Sequence, residues 1–85
     1  VTKEYMEKMI KSFNPQVGDI IYFYRRDKKK YTHTAIISHV KKNDILYSGH
    51  TDNCLDKSLM RRLNKDDIYC HVEICHIKNK GKFYM

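Results

Sequence analysis

The chain has 85 residues, with 17 Lys and Arg against 10 Asp and Glu and a formal net charge of +7. At 41% hydrophobic and 32% charged residues it is too apolar to stay disordered, and its length allows a single small domain, residues 1–85, with a thin margin of stability. No apolar run approaches the ~20 residues of a membrane-spanning helix, no signal-peptide pattern opens the chain, and Cys54, Cys70 and Cys75 are spaced too irregularly for a disulfide framework.

A surface this basic attracts polyanions such as nucleic acid, teichoic acid or anionic lipid. The lysines are spread along the chain, however, and the one dense run, Arg25 to Lys30, is broken by Asp27, which equally suits a merely soluble basic surface.

Residues Thr2 to Phe13 place Tyr5, Met6, Met9, Ile10 and Phe13 at spacings of three and four, one apolar stripe on a helix. Thr2 is the expected N-cap, and Asn14-Pro15 ends the helix because the residue before a proline is pushed out of the α region. Gln16 to Asp19 reads as a turn. Ile20 to Arg25 reads as a strand, with Ile21 and Phe23 on one face and Ile20, Tyr22 and Tyr24 on the other.

After the loop Arg26 to Tyr31, a central strand is expected over Thr32 to Val40, with Ala35, Ile36 and Ile37 as a continuous apolar core. Asn43 and Asp44 then turn the chain into a partner strand, Ile45 to His50. Thr51 to Lys57 reads as irregular, Ser58 to Leu63 as one or two helical turns capped by Asp56, and Ile68 to Ile77 as a long strand. In that strand Cys70, Val72 and Ile74 are expected to face inward, and Tyr69, His71 and Glu73 outward. Phe83 and Tyr84 can add a short terminal strand. The expected fold is α+β: an N-terminal amphipathic helix on a curved antiparallel sheet of four to five strands.

Chemistry concentrates around His33. If Val40 pairs with Ile45, residue numbers across the hairpin sum to 85, which sets Ala35 opposite His50 and His33 opposite Asp52. His33 and His50 then share a face as diagonal neighbours roughly 5 to 8 Å apart. That suits a base and the group that orients it, since a proton-shuttling imidazole needs a second polar group to fix its tautomer. A slip by one residue separates them.

Two other groupings are weaker. Cys70, His71, Cys75 and His76 are metal-ligand types, but neighbouring strand residues point to opposite faces, so core cysteine and surface histidine are expected, with no metal or cofactor. Seven tyrosines among basic residues, Tyr22, Tyr24, Arg25 and Arg26 foremost, permit a single-stranded nucleic-acid surface, although aromatics packing in a small sheet account for them better.

The succession Val17-Gly18-Asp19-Ile20-Ile21-Tyr22-Phe23, then His33-Thr34-Ala35-Ile36-Ile37, then Ile45-Leu46-Tyr47-Ser48-Gly49-His50-Thr51, then Ser58-Leu59, resembles the C-terminal half of the putative amidase domain family. That family belongs to the papain-like NlpC and CHAP group of cysteine amidases and peptidases, many acting on bacterial cell-wall peptidoglycan or small peptides. The resemblance implies a papain-like barrel half, with His33 as general base and His50 as its orienter; the shared face of the hairpin adds Asp52 as a supporting residue. It also implies a peptide or cell-wall amide substrate and a secreted or envelope location.

In that family the nucleophilic cysteine stands upstream, at a helix start similar to Asp-Cys-Thr-Asn-Phe, and no such segment lies between Val1 and His33. The resemblance therefore leads to the expectation that this single domain, which opens on Val1, is the C-terminal part of a longer amidase domain. Cys54, in a permuted arrangement, is the alternative nucleophile. An inactive remnant that binds peptide or glycan, and a basic nucleic-acid-binding barrel, are the rival readings, and exposed apolar surface would favour self-association.

Overall fold

The computed structural model describes residues 1–49, 54–65, 69–77 and 82–84, the side chains of Cys54, Cys70 and 82–84 excepted. Helix α1 spans Lys3–Phe13, started by Thr2, whose Oγ1 accepts from the Tyr5 amide at 3.1 Å. It ends at Asn14, left-handed at φ 56°, whose N–H donates to the Ile10 carbonyl at 2.8 Å. Met6 and Met9 are buried, Ile10 and Phe13 partly so, and Tyr5 is exposed, so the apolar stripe is one residue narrower than its spacing implied.

Six strands follow: β1 Ile20–Arg25, β2 Lys30–Val40, β3 Ile45–Gly49, β4 Cys54–Ser58, β5 Tyr69–Cys75 and β6 Lys82–Tyr84. A short helix, α2 Leu59–Leu63, separates β4 from β5. The strands form one antiparallel sheet in the order β4-β3-β2-β1-β5-β6. The class is the expected α+β. The sixth strand arises because 54–57, read as irregular, together with Ser58, read as the start of a helical turn, pairs along the edge of β3.

One face of the sheet carries the core. Ile21 and Phe23 of β1, Ala35 and Ile37 of β2, Ile45 and Tyr47 of β3, and Val72 and Ile74 of β5 are buried together with Met6, Met9 and Leu59 from the two helices. The other face has no such cover. Ile36, expected in a continuous apolar core, points there and is 42% exposed.

Four register shifts interrupt the described ladders, one of them between Phe23–His33 and Tyr24–Tyr31, and two re-phase residues of the core. Between β2 and β3 the register holds at Val40–Ile45 and His39–Leu46, then shifts by one to Ile37–Tyr47 and Ile36–Ser48, leaving Ser38 unpaired. Ile37 and Val40 can therefore both turn inward, although strict alternation would part them. Between β1 and β5 the register shifts between Tyr24–His71 and Arg25–Tyr69, which turns Tyr69 toward the core, correcting the expectation that it faces outward.

Helix α2 is capped by Ser58, whose Oγ accepts from the Arg61 amide at 3.2 Å, and not by Asp56, which sits in β4 at φ 51°. Asp44 adds a remote cap. Its carboxylate accepts from the Met60 amide at 3.1 Å, from the Ile45 amide at 2.7 Å and from the Ser58 hydroxyl, tying the β2–β3 turn to the start of α2.

Candidate active site

His33 stands on β2 directly opposite Phe23 of β1, on the inner face and two residues before the buried Ala35. It is half-buried, its ring centroid 5.4 Å from that of Phe23 and 6.1 Å from that of Tyr69. Phe23 also meets Tyr47 at 5.3 Å and Tyr69 at 5.6 Å, and the Arg62 guanidinium lies 4.5 Å above the Tyr69 ring. Strand geometry alone therefore delivers an imidazole to the edge of the core, held among aromatic rings.

The proposed partners of His33 are placed less fully. His50 and Asp52 lie outside the described residues, and Cys54 opens strand β4 with its side chain outside the description. The constant sum that set Ala35 opposite His50 does not carry through the bulge at Ser38. The last described pair of the β2–β3 ladder is Ile36–Ser48, three residues short of His33. Because Cys54 begins a strand, it lacks the helix N-terminus that commonly lowers a thiol pKa.

A second histidine site went unforeseen. His76, expected at the surface, has only 10% of its side chain exposed, with Nδ1 2.6 Å from Asp19 Oδ2 and Nε2 3.0 Å from the Phe13 carbonyl oxygen. Both nitrogens face acceptors, so both donate when the ring is an imidazolium. The ring also stacks on Phe13 at 4.1 Å between centroids. Asp19 accepts further from the Gln16 amide at 2.9 Å and the Ile77 amide at 3.3 Å.

This Asp–His pair borders a cleft of about 570 Å³ lined by Phe13, Asn14, Val17 and Gly18 among others. It nonetheless lacks the arrangement of a catalytic dyad. The nitrogen that would serve a substrate is turned onto a backbone carbonyl, and the pair instead clamps the end of β5 to the α1–β1 turn. The two residues are 57 positions apart, and no local pattern in the sequence signals their meeting.

The remaining candidates are engaged elsewhere. His71 stacks on Tyr24 at 4.3 Å with Tyr31 edge-on, so the outward aromatics pack on one another. Cys75 Sγ lies 3.6 Å from Glu73 Oε1, and Glu73, expected to face outward, is buried at 9% exposure. The Arg25 guanidinium hydrogen-bonds Asp27 through Nε at 2.9 Å and Nη2 at 2.7 Å, which holds the Asp27 carboxyl below its ordinary range and raises Arg25 above its own. Among the described residues no three His, Cys, Asp or Glu side chains group closely enough to hold a metal ion.

No curated protein and no solved structure matches the chain. A family model, described as a putative amidase domain, matches residues 1–74. That span takes in α1, the Gly18-Asp19 turn, the histidine strand β2, the β3–β4 edge, α2 and all of β5 except Cys75. A helix-covered antiparallel sheet with a half-buried strand histidine thus coincides with a match over most of the chain, and the chain belongs to the putative amidase domain family.

Proposed function

We propose that this domain supplies the histidine side of a cysteine amidase site of papain-like type, cleaving amide bonds of peptides or of bacterial cell-wall peptidoglycan. His33 acts as general base and acid, and His50 orients it with Asp52 in support. The thiolate comes from a helix start upstream in the family's arrangement, or from Cys54. It attacks the amide carbonyl, His33 protonates the leaving amine, and water resolves the thioester. The observation that carries this reading is the half-buried imidazole of His33 on the inner face of β2, beside Phe23 and Tyr69.

Two measurements test it. In the full reading frame, with purified peptidoglycan and short peptide amides as substrates, His33→Ala lowers amide cleavage by about 10²–10⁴-fold, whereas Thr34→Ala, on the opposite face, leaves it unchanged. Equal rates for wild type and His33→Ala would end the assignment. Haloacetamide labelling of this chain locates the thiol: fast modification of Cys54 that is lost in His33→Ala assigns it the nucleophile, and three uniformly slow cysteines point to the upstream helix start. A non-hydrolytic peptide- or glycan-binding role is the second reading, favoured by the strand rather than helix that begins at Cys54.

A further inference from the structure

The β2–β3 turn, β4 and α2 enclose a cleft of about 680 Å³ lined by Lys41, Lys57, Arg61, Arg62 and Lys65, with Asp44 and Asp56 as its acids. The two carboxylates are already committed. Asp44 accepts from Ser58, Ile45 and Met60, and Asp56 pairs with His39 at 3.7 Å. Arg62 covers Tyr69. Lys41, Lys57, Arg61 and Lys65 are exposed and form no ion pair with any described residue. Five cations thus line the cleft against two carboxylates, and the four exposed ones pair with neither, so a net positive charge remains whose mutual repulsion falls when an anion enters.

We infer that this cleft binds a linear phosphodiester polymer through its backbone charges. The exposed cations line an open groove rather than a closed cage, which suits a chain of single charges better than a compact anion. Three of the five are lysines, point charges that need no planar partner and suit tetrahedral phosphate. The one aromatic among the described lining residues, Tyr47, is buried at 4% exposure, so the described lining offers no ring for a nucleobase to stack on. Recognition is therefore of the backbone. The inference does not depend on the hydrolytic reading.

Calorimetric titration of the full chain with oligo(glycerol phosphate) tests it. Saturable binding is expected at low salt, weakening steadily as salt rises. The double variant Lys57→Gln/Arg61→Gln should weaken binding roughly tenfold or more, and Lys3→Gln/Lys8→Gln on α1, with the same loss of charge, less than about twofold. All four side chains are exposed, so circular dichroism of both variants should match wild type. Four results would overturn the proposal: no saturable binding, equal loss in both double variants, tighter binding of tripolyphosphate or poly-glutamate than of the phosphodiester chain at equal charge, or tighter binding of oligothymidylate.

Discussion

Asp19 concentrates more buried polar bonding than any other carboxylate described, since it receives the His76 ring, the Gln16 amide and the Ile77 amide at 3% exposure. Asp19→Ala would leave His76 Nδ1 and the part-buried Gln16 and Ile77 amides without their acceptor, while Nε2 keeps the Phe13 carbonyl, and a loss of about 1–3 kcal/mol is expected in denaturant unfolding. The Arg25–Asp27 pair is the opposite case, because it lies at the surface, its side chains 26% and 48% exposed. Its carboxyl is held below the ordinary range, so whatever it contributes is present above that range and is lost as pH falls through the lowered value. Screening makes that contribution small, and Asp27→Asn should leave the melting temperature at neutral pH and moderate salt unchanged within error. Ser38 offers a third test: its hydroxyl is buried with no hydrogen-bond partner among the described residues. Ser38→Ala should be neutral or stabilising by up to about 1 kcal/mol, read from the denaturant midpoint.

At the scale of elements, the two helices are started differently. Thr2 caps α1 through one bond to Tyr5, and Thr2→Ala should cost about 1 kcal/mol. Ser58 caps α2 through Arg61 and also donates to Asp44, whose other oxygen caps Met60. Ser58→Ala is therefore expected to cost more than Thr2→Ala in parallel unfolding curves, and equal costs would mean that the Asp44 bridge contributes nothing. Thr2 was legible because a local cap needs only its own neighbours in sequence. The Ser58–Asp44 link was not, because it joins residues 14 positions apart that meet only once β3 and β4 pair.

The whole molecule is a two-layer domain in which one face of the sheet carries the core and, among the described residues, no helix covers the other. With so few buried side chains, a cavity at Ile37, which is 0% exposed on the central strand β2, should remove about 2–5 kcal/mol and leave Ile37→Ala largely unfolded at 37 °C. Ile36 at 42% and Leu55 at 81% exposure lie on the outer face and the edge strand. We propose that these exposed side chains promote self-association, and sedimentation showing a strict monomer at high concentration would refute it.

Apolar periodicity and turn chemistry by themselves determined the α+β class, the helix Lys3–Phe13 with its caps, the hairpin of β2 and β3, and the inward aim of His33, because each depends on residues within a turn or a strand of one another. The family resemblance was likewise carried by contiguous motifs and agrees with the match over residues 1–74. The tertiary structure alone decided the bulges at Ser38 and Cys70, which move Tyr69 inward and break the register that set His50 against Ala35. It also decided the Asp19–His76 clamp and the convergence of Lys41, Lys57 and Arg61 on one cleft. A period-two pattern does not reveal where one strand gains a residue over its neighbour, and a sequence does not reveal which distant polar groups meet when the chain closes.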